Sequence, residues 1–279
     1  HWRQLSRALV RRDGYRGLAS WTGTMFEYLM PDLLTPVYNN SLLYESAKFC
    51  VYTQRRRVRG RSIPWGISES AYCAFDNSLT YQYKAHGVQR LALKRGMDRE
   101  LVISPYSTFL ALSADPPRAI RNLKLLQKLG LEGKYGMFES ADFTPARQVD
   151  KSRYTVVKCY MAHHLGMSLL SLDNLLCGKS MQKRFMSDVR MDAFSELLEE
   201  KVPINAPVLK YTSYEIPPRP EHLTGDAWKQ QNVSSDPSHP RCTLLSNGSY
   251  SLLLSDLGHS RANCSQVRIY RCDERSQGL

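Results

Sequence analysis

The chain has 279 residues, 42% of them hydrophobic, and a formal charge of +12 at pH 7 from 38 Lys and Arg against 26 Asp and Glu. Such a length buries a sizeable core in one large or two modest domains. Mean hydropathy is −0.42, and no apolar run approaches the roughly 20 residues of a membrane span. The opening His-Trp-Arg-Gln-Leu-Ser-Arg has no apolar leader core, and the seven cysteines form no Cys-x-x-Cys pair, so a secretory leader, a zinc site and a disulfide framework are not expected.

With no initiator methionine, position 1 reads as a cut through something longer. The first motif, 20–28, sets Glu27 among Trp, Phe, Tyr, Gly and small polar residues. Ser41 is placed to cap a helix over 41–57, in which Leu43, Ala47, Cys50, Val51 and Gln54 share one face. The densest basic run, 54–61, lies at the end of that helix, where positive charge complements the carbonyl end of the dipole. The remaining charge is dispersed and no nucleic-acid module signature occurs, so no nucleic-acid partner is expected. A second motif, 63–72, holds Trp65, Glu69 and Tyr72, with Tyr81 and Tyr83 shortly after.

Asp115 as cap, Pro116 as first residue, the stripe Ile120, Leu123, Leu126 and Leu129, and Gly130 as stop predict a helix over 116–129. The third motif, 135–145, carries Glu139 and Asp142. Residues 154–177 are apolar nearly all round and end at Gly178, which predicts a central buried helix; a further capped helix is expected from Asp188 to Lys201. Seven of the 14 prolines fall in 202–240, which reads as an extended connector. Residues 242–254, folded about Asn247-Gly248, signal a hairpin, and Val267–Arg271 a third strand. Three strands are too few to close a sandwich, so the chain reads as stopping just inside a second, β-rich domain. Most of the cysteines read as small apolar core residues in a reducing compartment.

Chemistry concentrates on Glu27, Glu69 and Glu139. A carboxyl beside flat rings, on a backbone loosened by glycine, suits sugar cleavage: rings stack on pyranose faces and the acid exchanges a proton at the glycosidic oxygen. Partly apolar surroundings raise such a carboxyl's pKa. His163 and His164 are neighbours on a predicted helix and point about 100° apart, so they cannot easily share one metal. One is expected to pack and the other to face the site, with no metal or cofactor.

Residues 20–31, Pro-Trp-Gly-Ile-Ser-Glu-Ser-Ala-Tyr (64–72), Leu-Lys-Arg-Gly (93–96), Met-Ala-His-His (161–164) and Glu196-Leu-Leu with Pro203 resemble the glucoamylase-like domain of bacterial cyclic β-1,2-glucan synthases. Residues 243–250 resemble the opening strands of the phosphorylase-type β-sandwich that follows in those synthases. The resemblance implies a mainly α fold: an incomplete (α/α)6 barrel over 1–201, the connector 202–240, and the first strands of a carbohydrate-binding β-sandwich over 241–279. It also implies a β-1,2-glucan partner and a retaining transglycosylation that closes glucan rings. Retention needs a nucleophile and an acid/base, their carboxyl groups roughly 5–5.5 Å apart. By resemblance Glu69 is the nucleophile, and the acid/base lies in a helix upstream of His1, so the isolated chain is expected to be inactive. Glu27, Glu139 and Asp142 would bind sugar hydroxyls or orient the catalytic pair; Trp65, Tyr72, Tyr81 and Tyr83 would supply stacking faces; His163 and His164 would line the bowl. The parent polypeptide, the other expected partner, would be a bacterial inner-membrane protein whose glucosyltransferase part works at the cytoplasmic face.

The sequence departs from the family pattern at Leu165, where Gln is usual, at 85–92, which replace a segment rich in Phe, Pro and Gly and lose the glycines near 90–92, and at Arg261-Ala-Asn-Cys, which replaces a Gly/Trp-rich strand. Two other readings are an endo-β-1,2-glucanase-type hydrolase, in which water replaces the acceptor sugar, and a non-catalytic basic binding protein.

Overall fold

A computed structural model describes residues 8–76, 79–148, 152–203, 205, 208–209, 238–239, 241–265 and 267–272. The chain divides into two compact units, 1–227 and 228–279. The first opens on a hairpin of β1 (Leu9–Arg12) and β2 (Tyr15–Leu18), turned by Asp13-Gly14 with both residues at positive φ. α1 (Met25–Leu29) starts from a capping box: Thr24 Oγ1 accepts the Glu27 N–H at 3.2 Å and the Glu27 carboxylate accepts the Thr24 N–H at 3.2 Å. α2 (Leu42–Val58) begins where the sequence predicts, with the Ser41 hydroxyl accepting the Tyr44 N–H, and it buries Ala47, Cys50, Val51 and Gln54 of the expected face together with Phe49.

β3 (Ser70–Phe75) pairs with β4 (Tyr81–Lys84), and β5 (Val102–Ile103) leads into α3 (Pro105–Leu110). α4 (Pro116–Lys128) is capped by Asp115 as expected, but its buried face is Ala119, Asn122 and Leu126, while Ile120 is 44% exposed. The stripe turns because Asn122 is drawn inward to hydrogen-bond the backbone of Trp65.

β6 (Glu132–Gly133) and β7 (Gly136–Met137) form a short ribbon, and β8 (Ser140–Asp142) lies between β5 and β9 (Thr155–Val157). The helix expected over 154–177 therefore starts late. Thr155-Val-Val is β-branched and pairs with β8, and α5 covers only Ala162–Leu176. Nor is α5 apolar-buried all round: His164, Met167, Ser168 and Ser171 are buried while Leu169, Leu175 and Leu176 are exposed. α6 (Ser180–Met186) was not anticipated, and the helix expected over 188–201 is broken into α7 (Val189–Asp192), capped by Asp188, and α8 (Ser195–Leu198). β10 (Val208–Leu209) pairs in parallel with β1, so that part of the predicted connector is sheet; the connector's residues 210–237 lie outside the described residues.

Four small sheets thus accompany the helices of the first unit among the described residues, strands that the mainly α expectation did not include. Strands of two to six residues show too little alternation to register in sequence. Helices and loops close on a core that includes Met25, Leu29, Phe49, Ile67, Leu91, Ile103, Leu110 and Leu126. Leu91 and Val88 sit in that core, so the glycine-poor segment 85–92 places its bulk inward. Cys50 is buried, but Cys177, Cys242 and Cys264 are exposed, contrary to the expectation that most cysteines fill the core.

The second unit is an antiparallel meander of β11 (Cys242–Ser246), β12 (Tyr250–Ser255), β13 (Ser260–Cys264) and β14 (Val267–Cys272). The Asn247-Gly248 turn is as predicted, with Asn247 Oδ1 accepting the N–H groups of Ser249 and Tyr250. The unforeseen strand is β13, whose small and polar residues carry no hydrophobic signal.

Candidate active site

The second glutamate motif runs as an extended segment clamped by side chains. Asn122 Oδ1 accepts the Trp65 N–H at 3.0 Å, and its amide donates to Trp65 O at 2.7 Å. Gln54 does the same at Ile67, accepting from N and donating to O, both at 2.9 Å. Between them Gly66 adopts φ +125°, and Ser107 Oγ lies 2.7 Å from where a Cβ would stand. Only glycine fits there. Three elements (α2, α3 and α4) therefore fix the backbone that delivers Glu69 at the mouth of β3.

Glu69 is half-buried, and no Lys or Arg pairs with it among the described residues. Burial, and then the charge of Glu27, push its carboxyl above the usual glutamate value, opposed by His164 and by a hydrogen bond from Tyr83. Tyr83, on β4, is itself pushed up by burial and by the charges of Glu69 and Glu139, so its phenol keeps its proton at neutral pH. That hydroxyl also meets His164 Nε2 at 3.3 Å. On the far side of the ring, His164 Nδ1 lies 2.9 and 3.0 Å from the Glu139 oxygens, and Glu139 Oε1 also accepts the Ala71 N–H at 3.1 Å. Glu139 thereby engages Nδ1 and leaves Nε2 facing Tyr83. Tyr106 stacks flat on His164, centroids 3.6 Å apart, and its hydroxyl meets Ser68 Oγ at 2.8 Å. Glu139, His164 and Tyr83 thus form a linked chain that ends beside Glu69, with Tyr106 stacked on the imidazole. Beside it a cavity of about 490 Å³ opens between α5 and the β6–β7 ribbon, with Glu139 and His164 on its wall.

Other expected site residues are placed differently. Glu27 stands close enough to raise Glu69, but its carboxylate accepts the N–H groups of Thr22, Gly23 and Thr24 at 2.9–3.2 Å, so it ties down a loop. Asp142 is fully buried, accepting from Cys73 N at 3.1 Å, Thr144 N at 2.9 Å and Arg147 Nε at 2.6 Å. It is a structural anion with no oxygen left for sugar. Trp65 is 7% exposed and belongs to the core. Tyr72 is buried, with Lys84 at 4.4 Å and Arg147 at 4.8 Å from its ring centroid, and it hydrogen-bonds Gln82. Its ring therefore offers no face for a sugar. Tyr81 stacks on Phe75 at 4.6 Å. His163 is exposed, its ring 4.0 Å from that of His164, and burial and His164 push its pKa down.

Two features escaped the sequence. Trp21, in the Glu27 motif, is 64% exposed and offers the flat face that Trp65 lacks. The other is a buried ion cluster in which Arg147 bridges Asp142 and Glu100 at 2.6 and 3.1 Å. Burial would raise the Glu100 carboxyl, but hydrogen bonds from His86 and Lys84 and the Arg147 charge hold it well below the usual range.

Comparison with known proteins adds three findings. The family model described as Glycoamylase, putative glucoamylase, matches residues 1–189. The cyclic beta-(1,2)-glucan synthase NdvB of Rhizobium meliloti (strain 1021) is 38% identical over 275 residues, covering 96% of this chain and 10% of NdvB. The chain thus spans about a tenth of the length of that relative. Among solved structures, a putative glucoamylase from Bacteroides fragilis aligns with TM-score 0.50 at 19% identity, covering 69% of this chain and 45% of that one, and one from Bacteroides caccae with TM-score 0.50 at 17% identity, covering 69% and 46%.

Proposed function

This chain belongs to the putative-glucoamylase family, and from that premise we propose that it is part of the ring-closing domain of a cyclic β-1,2-glucan synthase, with Glu69 as nucleophile. The observation that carries the reading is the setting of Glu69: a half-buried carboxyl delivered by a backbone clamped from α2, α3 and α4, without a Lys or Arg partner among the described residues, beside the phenol of Tyr83. An anionic nucleophile that is already neutralised by arginine attacks poorly; one held by a neutral donor keeps its charge and its aim.

In this reading Glu69 attacks the anomeric carbon of a β-1,2-linked glucose, forms a glycosyl-enzyme ester, and gives the glycosyl group up to a hydroxyl of the same glucan. The departing oxygen takes its proton from a second carboxylic acid supplied by the polypeptide of the larger synthase. Tyr83, His164 and Glu139 orient Glu69, and Trp21 provides a stacking face for a sugar ring. The barrel implied by the family is completed by the same larger polypeptide, at the face of a bacterial inner membrane. Among the described residues no helix is long and apolar enough to cross a membrane.

The test is a product assay with labelled linear β-1,2-glucan. The larger synthase should give rings, Glu69→Gln in it should give none, and the 279-residue chain alone should leave the substrate unchanged. Linear oligosaccharides in place of rings would assign the site to hydrolysis, and unimpaired ring formation by Glu69→Gln would remove Glu69 from the reaction.

A further inference from the structure

On a different surface from the Glu69 site, α2 and α4 gather positive charge around Arg55. Arg55 and Tyr52 form the shared wall of two concavities, one of about 230 Å³ that also takes in Lys48 and Arg118, and one of about 430 Å³ that takes in Arg59. Arg55 is half-buried, yet it makes no hydrogen bond or ion pair among the described residues. The nearby acids are already engaged. Asp115 caps α4 and pairs with Arg118 at 2.7 Å; Asp13 pairs with Arg56 at 3.4 Å and accepts the Tyr52 hydroxyl at 2.8 Å. Burial, then Arg118, hold the Arg55 guanidinium below its ordinary value.

Helix-dipole complementarity accounts for arginines in the last turn of α2. It does not account for Lys48 two turns earlier, which lies over the Tyr44 ring at 4.7 Å and pairs with no acid among the described residues; Arg118, in the first turn of α4, is held there by Asp115. Like charges converging on a concave surface, with their acids spent, are stabilised by an anion from outside. The guanidinium fork is suited to a phosphate or sulfate oxygen pair. Two small hollows fit an anionic group and its substituent rather than the long, even track that a duplex needs.

We propose that the Arg55 groove is a binding site for a multiply charged oxyanion, a phosphate or sulfate ester. The proposal is independent of the role of Glu69. Inorganic pyrophosphate titrated into the 279-residue chain by calorimetry, at ionic strength held constant with NaCl, should show saturable binding to one site. Arg55→Gln and Lys48→Gln should each weaken it at least tenfold, while Arg184→Gln on α6 leaves it unchanged. Circular dichroism checks that each variant is folded, and Lys48→Gln carries the test should Arg55→Gln unfold. Absence of saturation, or equal weakening by Arg184→Gln, would overturn the site. So would Arg55-dependent binding confined to phosphatidylglycerol vesicles or to duplex DNA, since either would make the groove a macromolecular docking face.

Discussion

Glu69 owes its raised pKa first to burial and then to the charge of Glu27, and Tyr83 opposes the shift. The Tyr83 hydrogen bond favours the charged carboxylate, so Tyr83→Phe should raise the Glu69 pKa further. Because the nucleophile must be ionised, the acidic limb of the synthase's pH–rate profile should move to higher pH, with rates at high pH less affected. An unshifted limb would mean that Tyr83 does not act through Glu69. Asp142 makes the opposite case. It shares the motif of Glu139, yet its carboxylate is spent on Arg147 and two backbone amides. Removing one partner of a buried pair costs about 3–5 kcal/mol, so Asp142→Ala should lower unfolding free energy by that order in urea titrations. A loss confined to glucan affinity, with stability intact, would restore Asp142 to the substrate site.

At the scale of elements, the extended segment at 64–69 depends on helices that the chain supplies before and after it. Asn122 satisfies both backbone groups of Trp65 and also donates to Thr108 Oγ1 at 2.9 Å. Asn122→Ala leaves the Trp65 N–H buried without a partner, at about 1–3 kcal/mol, and leaves its C=O only the Thr108 hydroxyl at 3.4 Å. Amide exchange at Trp65 should quicken and α4 should remain helical, which circular dichroism and hydrogen exchange read separately. The caps were legible residue by residue: Ser41, Asp115 and Asp188 each accept the backbone N–H that their positions imply. The start of α5 was not, because Thr155-Val-Val suits a strand as well as a helix and only pairing with β8 decides between them.

Across the whole molecule, stability carries the mark of one buried acid. Asp32 lies among Leu33, Ser113 and Gln182, with the Ser113 hydroxyl donating at 2.8 Å, and burial pushes its pKa up to about 7. The folded chain holds this proton where the unfolded chain releases it. The stability it contributes is therefore full below about pH 4 and is lost as pH rises towards about 7. Asp32→Asn should flatten that part of the pH dependence of Tm, and a wild-type slope retained in the variant would place the titration elsewhere.

Sequence by itself determined what is local: the caps of α2 and α4, the Asn247-Gly248 hairpin, and the motifs that mark the family, because each is written in a few adjacent residues. Tertiary structure alone decided which acids remain available. Glu27, Glu69, Glu139 and Asp142 sit in similar motifs, but one binds a loop, one pairs with histidine, one is locked to arginine and one stays open. Their partners come from elements up to 69 residues away in the chain, and a carboxylate's chemistry is set by what it touches in space.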